Sequence, residues 1–368
     1  MLIFFLLIFT RPLICSLAFP YLNFIYSALL LVFLAAYIIL RRPFRLLQPV
    51  FFTPLTIFVV AICVSLVFSC DPSASISQVY QYISALGLFI VGISLSEKEK
   101  LSSLRAIILS AGMISLLAIY QYFFTFKHLS AYLADNRISF SFAWDYIRSR
   151  RVFFPFVTPG VLGGFLAMVI PLSLISRRRI WLTPLLFFTL VLTRSPAAFI
   201  SLLCGAIVYF CLKGKLKKSS ILPLAGIFLF MVAVFIWRSA AQKEHLRPAF
   251  SIAMRLSYWQ ESLVLVRQYF FSGMGLGNFN LQNSRYAHNA YLQILAEMGI
   301  LGLGAFIWLV FAALKNGFNR LKGAVDKETG CCLAAASVVF LVHNLMDFTF
   351  FLPEVSLIFW LILGLFSA

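Results

Sequence analysis

The sequence predicts an all-α membrane protein with about 12 transmembrane helices and both termini in the cytoplasm. Of its 368 residues, 62% are hydrophobic and only 11% are charged, whereas a soluble domain averages about a quarter charged residues. Apolar runs of about 20 residues, the length that a helix needs to cross a bilayer, recur along the whole chain. These runs are continuously apolar instead of alternating, which argues against β-barrel strands.

Each apolar run is predicted to be one membrane span, and no repeat or appended soluble domain interrupts the series. Residues 1–368 are therefore expected to form a single polytopic domain. The first run lacks a basic n-region and a cleavage site, so we expect it to be retained as a span. The predicted spans are 2–18, 21–40, 50–69, 78–96, 105–125, 159–176, 180–193, 196–212, 220–237, 289–312, 329–346 and 353–367.

Positive charge in the loops predicts the orientation of the spans. One alternating set of loops is rich in lysine and arginine: Arg41–Arg45, Glu97–Arg105, Arg177–Arg179, Lys213–Lys218 and Lys315–Lys327. The short loops of the other set, near Pro20, Asp71, Arg194 and Pro353, hold a single basic residue. By the positive-inside rule the basic set faces the cytoplasm, with both termini inside.

The net charge of +18 does not indicate nucleic acid binding, because the basic residues punctuate the apolar runs instead of clustering in one domain. Six of the seven cysteines lie within apolar runs, where cysteine behaves as a small hydrophobe. Their spacing fits neither a disulfide framework nor a metal site. We therefore expect no nucleic acid partner, no metal and no cofactor.

Two longer loops, 126–158 and 238–288, are predicted on the outer face of the membrane, and both carry cations that topology does not require. Arginine binds phosphate well because its planar fork contacts two oxygens at once. The loops therefore either bind an anionic ligand or contact phospholipid headgroups of the membrane. The cations are Lys127, Arg137, Arg148, Arg150 and Arg151 in the first loop, and Arg238, Lys243, Arg247, Arg255, Arg267 and Arg285 in the second.

The second loop contains a predicted helix over about 249–271, with Arg255 and Trp259 four residues apart on one face. A glycine-rich stretch, GMGLGNF from Gly273, follows. It superficially matches a dinucleotide-binding loop, but neither a strand nor a βαβ unit surrounds it. The glycines are better interpreted as a tight turn before the next span.

His288 and Asn289 stand where this loop enters the tenth span. At that boundary a histidine can have its pKa tuned for proton transfer, although a lone histidine is more often structural. Glu297 inside the span is expected to pair with a buried arginine. Gly299, Gly302 and Gly304 indicate close helix packing.

Three further sites carry charge within or next to predicted spans. Arg194 precedes Pro196, a suitable first residue for a helix, and either binds an anion or snorkels to the interface. His343 and Asp347 are predicted to share a helix face, more as a structural hydrogen bond than as a relay. Arg11, inside the first span, has no partner evident in the sequence.

At this point the chain resembles the O-antigen ligase and polymerase family of membrane glycosyltransferases. The family pattern H[NSQ]-x9-G-x-x-G reads here as His288-Asn289, then AYLQILAEM, then Gly299-Ile300-Leu301-Gly302. RLSYW, from Arg255 to Trp259, is similar to the family's R-x-x-x-W element, and GMGLGNF to its glycine-rich stretch. The segment from Arg151 to Leu172 resembles the entry into the sixth span. One departure is TRSPA, from Thr193, where the family usually has Thr-x-Ser-Arg-Gly.

The resemblance implies transfer of a glycan from undecaprenyl diphosphate, without a metal, to a hydroxyl of lipid A-core or of another glycan or protein. His288 would act on the acceptor and Arg255 on the diphosphate, with Arg194, Arg285, Arg151 and Trp259 as further substrate-binding residues. Asn289, Glu297, Gly299 and Gly302 would be structural parts of the motif. A polymerase or protein glycosyltransferase of the same family and a polysaccharide or lipid transporter remain the alternatives.

Overall fold

The structure, a computed structural model, describes residues 1–136, 141–175, 181–214, 218–241, 248–323 and 326–368, but not the side chains of 141–143, 218–220, 223, 238–241 and 248. Within this described part all regular secondary structure is helical, and no strand is found. Several predicted loop cations therefore lie outside the described residues or lack a described side chain: Arg137, Arg177–Arg179, Lys215, Lys217, Lys218, Arg238, Lys243 and Arg247.

Fifteen α-helices are found in the described residues, and each of the twelve predicted spans coincides with one of them. Five are long and apolar enough to cross a membrane, and six further apolar helices are shorter. This confirms an all-α, multi-pass membrane protein, whereas the number of spans and their orientation stay predictions. The helices are α1 Leu2–Thr10, α2 Pro20–Arg41, α3 Pro49–Val67, α4 Pro72–Ser94, α5 Glu97–Tyr120, α6 Phe126–Asp135, α7 Ser141–Arg148, α8 Pro159–Ser173, α9 Leu182–Thr193, α10 Pro196–Leu212, α11 Lys218–Ala241, α12 Pro248–Gln268, α13 Ala290–Leu321, α14 Lys327–His343 and α15 Pro353–Ser367.

Some segments predicted as loops are helical. The basic segment that starts at Glu97 forms the first turns of α5, where Ser96 and Glu99 make a capping box. A π-helical segment, Gln121–Thr125, then joins α5 to α6, so the first long loop begins as a continuation of the span.

Helix α15 is the centre of the bundle and is buried over its whole length. It packs against α4, α13 and α14. Close approach to α4 depends on two glycines, because a Cβ atom added to Gly364 would lie 2.4 Å from the carbonyl oxygen of Phe89 and one added to Gly92 would lie 2.9 Å from that of Leu361. The buried ring of Trp360 fills the space between neighbouring helices.

An ion pair between the first and last helical segments explains Arg11. Nη2 of Arg11 lies 3.4 Å from Oε2 of Glu354, and both side chains are buried. The same nitrogen donates a hydrogen bond to Oδ1 of Asn23 at 2.8 Å, and the guanidinium lies 4.8 Å from the ring centroid of Tyr26. Since a buried charge needs a partner, this contact fixes α1 and α2 to the start of α15.

Several helices are too short to cross a bilayer, and we call the region above the low-lying start of α15 the recess. We call the end of the bundle that holds Asp71, Arg194 and Leu352 the upper end. Helices α8, α9 and α15, with 15, 12 and 15 residues, are about 18 to 22 Å long, against about 30 Å of hydrocarbon. Nε2 of Gln81, nine residues into α4, donates to the carbonyl of Phe350, which places the start of α15 on the order of 10 Å below the start of α4.

Helix α13 folds back on itself at Gly299, where the backbone leaves the helical region with φ 65° and ψ −171°. The rings of Tyr291 and Phe306 consequently lie 6.2 Å apart, although 15 residues of straight helix would separate them by about 22 Å. The lower half, Ile300–Leu321, is about 33 Å long and sufficient for a span. The upper half begins just after His288, inside the recess, and rises from there to the break at Gly299.

The glycine-rich turn docks on this break through its backbone. The N–H of Met274 donates to the carbonyl of Ala296 at 2.9 Å, and that of Gly275 donates to the carbonyl of Glu297 at 3.1 Å. Gly273, Gly275 and Gly277 all have positive φ. A Cβ atom added to Gly273 would lie 2.2 Å from the carbonyl oxygen of Glu297. The predicted tight turn is therefore present, and it accepts no side chain at this contact.

The glycines of α13 were expected to pack against other helices, but none of Gly299, Gly302 and Gly304 does so. A Cβ atom added to Gly299 would lie 2.2 Å from the carbonyl oxygen of Phe271, which belongs to the turn and not to a helix. Gly302 faces Met298 across the break, and Gly304 faces open space. Their spacing reflects the sharp bend of α13.

Labelling of cysteines tests the orientation. Cys70 is exposed at the upper end, so we expect an impermeant maleimide added from outside to label it in cells with a permeabilised outer membrane. Cys331 and Cys332 are fully buried and will resist the reagent on either side, so an introduced Lys98→Cys at the exposed lower end is the informative control. Labelling of Lys98→Cys but not of Cys70 would reverse the predicted topology.

Substitution of the glycine at the break tests its role. Gly299→Ala should lower the free energy of unfolding by about 2 kcal/mol or more, because alanine is strained at positive φ and its Cβ would clash with the backbone of Phe271. Gly304→Ala is the matched control and should be neutral or stabilise the helix by up to about 1 kcal/mol. Thermal unfolding in detergent measures both, and equal effects would contradict the proposed constraint.

Candidate active site

The floor of the recess carries a buried pair, His343 and Asp347, packed against α8. Nε2 of His343 lies 3.3 Å from Oδ2 of Asp347. A Cβ atom added to Gly164 would lie 2.3 Å from Nε2 of His343, and one added to Gly160 would lie 2.7 Å from Oδ2 of Asp347. The two glycines therefore make room for the pair. The predicted contact between His343 and Asp347 is present, although α14 ends at His343 and Asp347 reaches it from the following turn.

Asp347 supplies a negative charge beside His288 and Arg255. Burial by itself raises the pKa of its carboxyl group, but the contact with His343 and the charges of His288 and Arg255 outweigh burial and lower the pKa to about 2. Oδ1 of Asp347 also accepts a hydrogen bond from the N–H of Phe348 at 2.8 Å. The carboxylate is consequently ionised at physiological pH.

His288 is half-buried and held between two aromatic rings, with a left-handed backbone conformation of φ 51°. Its ring is stacked on Tyr258 at 5.7 Å and meets the edge of Phe348 at 4.9 Å. Nδ1 is buried without a hydrogen-bond partner. Burial lowers the pKa of the imidazole to about 4; repulsion from Arg255 adds to this effect and Asp347 opposes it. The ring is therefore neutral at physiological pH and able to accept a proton.

A chain of hydrogen bonds connects the backbone before His288 to the glycine-rich turn. The N–H of Ala287 donates to Oε1 of Gln293 at 3.2 Å, and Nε2 of Gln293 donates to Oε1 of Glu297 at 2.9 Å. Oε2 of Glu297 accepts from the N–H of Gly277 at 3.1 Å. The expected arginine partner of Glu297 is thus replaced by an amide and a backbone group. Glu297 holds the two sides of the break together.

Asn289 acts as the cap of α13. Its Oδ1 accepts hydrogen bonds from the N–H groups of Tyr291 and Leu292 at 3.0 and 3.1 Å. The N–H of Ala290, the first residue of α13, donates to the carbonyl of Asn344 at 2.9 Å. The position of His288 is therefore fixed on one side by the helix that it precedes and by the end of α14.

Three arginines from three different segments converge on this region. Burial, together with repulsion from Arg194 and Arg255, lowers the pKa of Arg151 to about 10, against the opposing effect of Tyr146. Nε of Arg255 is buried without a hydrogen-bond partner, while its Nη1 donates to Oγ of Ser251 at 3.0 Å. Within the described residues neither Arg151 nor Arg255 forms a salt bridge. Their charges are thus available to an anionic ligand.

Arg194 approaches the same region from the end of α9, where it adopts a left-handed conformation with φ 52°. Its guanidinium donates to the carbonyl of Ser149 and lies 4.1 Å from the ring centroid of Trp237. Beside it is a cavity of about 240 Å³ whose other walls are formed by Trp237, Val191, Ala233 and Val234. As predicted, α10 begins at Pro196, although Ser195 makes no side-chain capping bond.

The two remaining predicted substrate residues differ in position. Trp259 follows Arg255 by one turn of α12, and its indole Nε1 is buried without a hydrogen-bond partner, so a donor is available next to the arginine. Arg285 is exposed, and its charge acts on Tyr286 and Glu297 instead of on the groups around His288. The structure therefore brings Trp259 into the cluster but not Arg285.

Sequence patterns missed two members of the cluster. The sequence predicts a hydrogen bond between Asp347 and His343. It does not predict that Asp347 lies near His288, because that distance depends on the fold. The sequence does not single out Tyr146, yet its ring lies 5.5 Å from the guanidinium carbon of Arg151. Burial raises the pKa of its hydroxyl, on which the charges of Arg151, Asp347 and Arg255 also act. The short spacing between Tyr146 and Arg151 is the one signal that the sequence offered.

Comparison with known proteins supports the resemblance found in the sequence. Residues 181–307, about a third of the chain, match the family model described as O-antigen ligase. The match includes Arg194, Arg255, Trp259, His288 and the break at Gly299, but neither Arg151 nor Asp347. A search of curated proteins finds no match. Residues 181–307 are therefore similar to the O-antigen ligase family over about a third of the chain.

Proposed function

We propose that the protein transfers a glycan from undecaprenyl diphosphate to an acceptor hydroxyl at the periplasmic face of the bacterial inner membrane, with ligation of O-antigen to lipid A-core as the preferred reaction. The observation that carries the proposal is a neutral, half-buried His288 beside Arg255, with Arg151 next to Arg255 and Arg194 in the same charge cluster. The family match supports glycan transfer in general.

His288 is assigned to the acceptor. A neutral imidazole within hydrogen-bond reach of the acceptor hydroxyl takes up its proton as the oxygen attacks the anomeric carbon. When the diphosphate binds, its negative charge offsets the repulsion from Arg255, which raises the pKa of His288 towards its ordinary value. Asp347 acts in the same direction by stabilising the protonated ring. The base thus becomes stronger once the donor is in place.

The arginines are assigned to the leaving group. As the bond from the anomeric carbon to the diphosphate breaks, negative charge grows on the phosphate oxygens, and Arg255, Arg151 and Arg194 stabilise it. A single displacement inverts the anomeric centre, as the family resemblance implies. Trp259 offers its indole N–H or its face to the glycan or phosphate. Arg285 is retained only as a residue that assists from the exposed edge.

The alternatives differ mainly in the acceptor. A second lipid-linked glycan would make the protein a polymerase, and a protein hydroxyl would make it a protein glycosyltransferase. A transporter without chemistry is less well supported, because transporter sites usually lie at midplane helix breaks between paired halves. Here the charged groups gather at one end of the bundle.

Variants separate the roles of the central residues. His288→Ala should keep binding of the purified lipid-linked donor but reduce transfer by about 100-fold or more. Arg255→Lys should also reduce transfer severely, because lysine keeps the charge but loses the two-pronged contact with phosphate oxygens. Arg255→Ala should weaken donor binding. His343→Ala should be milder, since we assign His343 to the support of Asp347.

Two residues far from the cluster provide matched controls. His128 is exposed on α6, and Arg320 is exposed at the lower end of α13, so His128→Ala and Arg320→Lys should leave transfer unchanged. Near-normal transfer by folded His288→Ala would refute the assignment of the histidine.

The pKa of His288 predicts the pH dependence. Because burial lowers this pKa to about 4 in the free protein, the neutral form persists above that value and is lost as the pH falls through it. We expect kcat/KM to stay level from pH 8 down to about pH 5 and then to decline. A decline that is already complete at pH 6 would show that another group with an ordinary histidine pKa controls the reaction.

Chelation tests the proposed independence from metal. Within the described residues no three His, Cys, Asp or Glu side chains are grouped for a metal ion, and the proposed mechanism uses arginines for charge stabilisation. Protein treated with a chelator and then dialysed should therefore retain transfer activity. Strict dependence on added Mg²⁺ or Mn²⁺ would contradict the mechanism.

A further inference from the structure

Helix α12 has an exposed apolar stripe that no other part of the described chain covers. Ile252, Leu256, Leu263 and Val264 are 50%, 49%, 45% and 54% exposed. Their spacing brings them to one side of the helix. Such a stripe on a helix outside the predicted spans is unusual, because soluble surfaces rarely leave this much contiguous apolar area in water.

The stripe lies next to the face of α12 that forms the site. Tyr258 and Ser262 are buried against the rest of the protein, and Arg255 occupies the angle between this buried face and the stripe, about 100° from Leu256 around the helix axis. The helix therefore has one face in the site and a neighbouring apolar face without a protein partner.

The C-terminal end of α12 is joined to the rim of the membrane bundle. The carbonyl of Phe270, just after α12, accepts a hydrogen bond from the N–H of Ile300 at 2.8 Å. Phe271 is 76% exposed there, and Val67 and Phe68 at the upper end of α3 are 78% and 61% exposed. Exposed apolar side chains thus continue from the stripe onto the surface of membrane-spanning helices.

The middle of α12 lies at the depth of the recess. Tyr258 stacks on His288, and His288 precedes the half of α13 that descends on the order of 10 Å from the rim at Gly299. The exposed stripe consequently lies on the order of 10 Å below the rim, within the depth to which interfacial helices bury their apolar face. The exposed residues of α12 include no acidic side chain, and Arg267 stands among them.

We propose that α12 is an interfacial helix whose stripe of Ile252, Leu256, Leu263 and Val264 is buried in phospholipid acyl chains, with Arg267 at the level of the lipid phosphates. The apolar face of such a helix is buried in the acyl region below the lipid headgroups. The outer lipid leaflet is then the support that holds Arg255 and Tyr258 over the recess. A second copy of the chain and the glycolipid acceptor are the competing occupants.

Site-specific photocrosslinking in inner-membrane vesicles tests this proposal without relying on transfer activity. A benzophenone amino acid replaces Leu256 or Leu263, and mass spectrometry identifies the adducts after irradiation. We expect phospholipid adducts at both positions, several-fold above those at Gln282, an exposed polar residue of the same loop. Crosslinks to another copy of the protein, adducts with a glycolipid instead of phospholipid, or the absence of lipid adducts would each overturn the proposal.

A charge substitution provides an independent readout. In phospholipid nanodiscs Leu263→Asp should lower the midpoint of thermal unfolding, whereas Gln282→Asp should leave it unchanged. If the stripe faced water, Leu263→Asp would be neutral or would improve solubility, and that result would also overturn the proposal.

Discussion

The break of α13 at Gly299 is the constraint on which the rest of the site depends. A helix that stops in mid-course leaves carbonyl groups without intrahelical partners, and those of Ala296 and Glu297 are satisfied by the backbone of the glycine-rich turn. Positive φ values at Gly273 and Gly299 permit this backbone pairing, and an added Cβ would obstruct it on either side. The two glycine motifs are thus halves of one joint.

The joint determines where the chemistry is located. It directs the upper half of α13 into the recess, so that His288 meets Tyr258 of α12 and Phe348 after α14. Three segments distant in sequence then deliver guanidinium groups to the same region. Since water is partly excluded there, attraction between these groups and a diphosphate is stronger than at an open surface. The ionised Asp347 prevents the cluster from being purely repulsive.

The sequence predicted the features that depend on local pattern. Apolar runs located the helices, and the helix predicted at about 249–271 is found as α12, Pro248–Gln268. The spacing from His288 to Gly302 identified the motif. It did not predict the break of α13, because φ at Gly299 is set by contact with a turn more than 20 residues earlier. Glu297 was assigned the wrong partner for the same reason. Asp347 and Tyr146 join the cluster only through packing of α8, α14 and the first long loop, which no single segment encodes.

The buried pair of Arg11 and Glu354 has a consequence for biogenesis. The two residues are 343 positions apart, so Arg11 is synthesised long before Glu354. At ordinary elongation rates the interval is on the order of 20 to 70 seconds. During that time the arginine lacks its carboxylate and remains stable only near polar headgroups or water. Final docking of α1 must therefore await the synthesis of α15, which makes closure of this part of the bundle a late step of biogenesis.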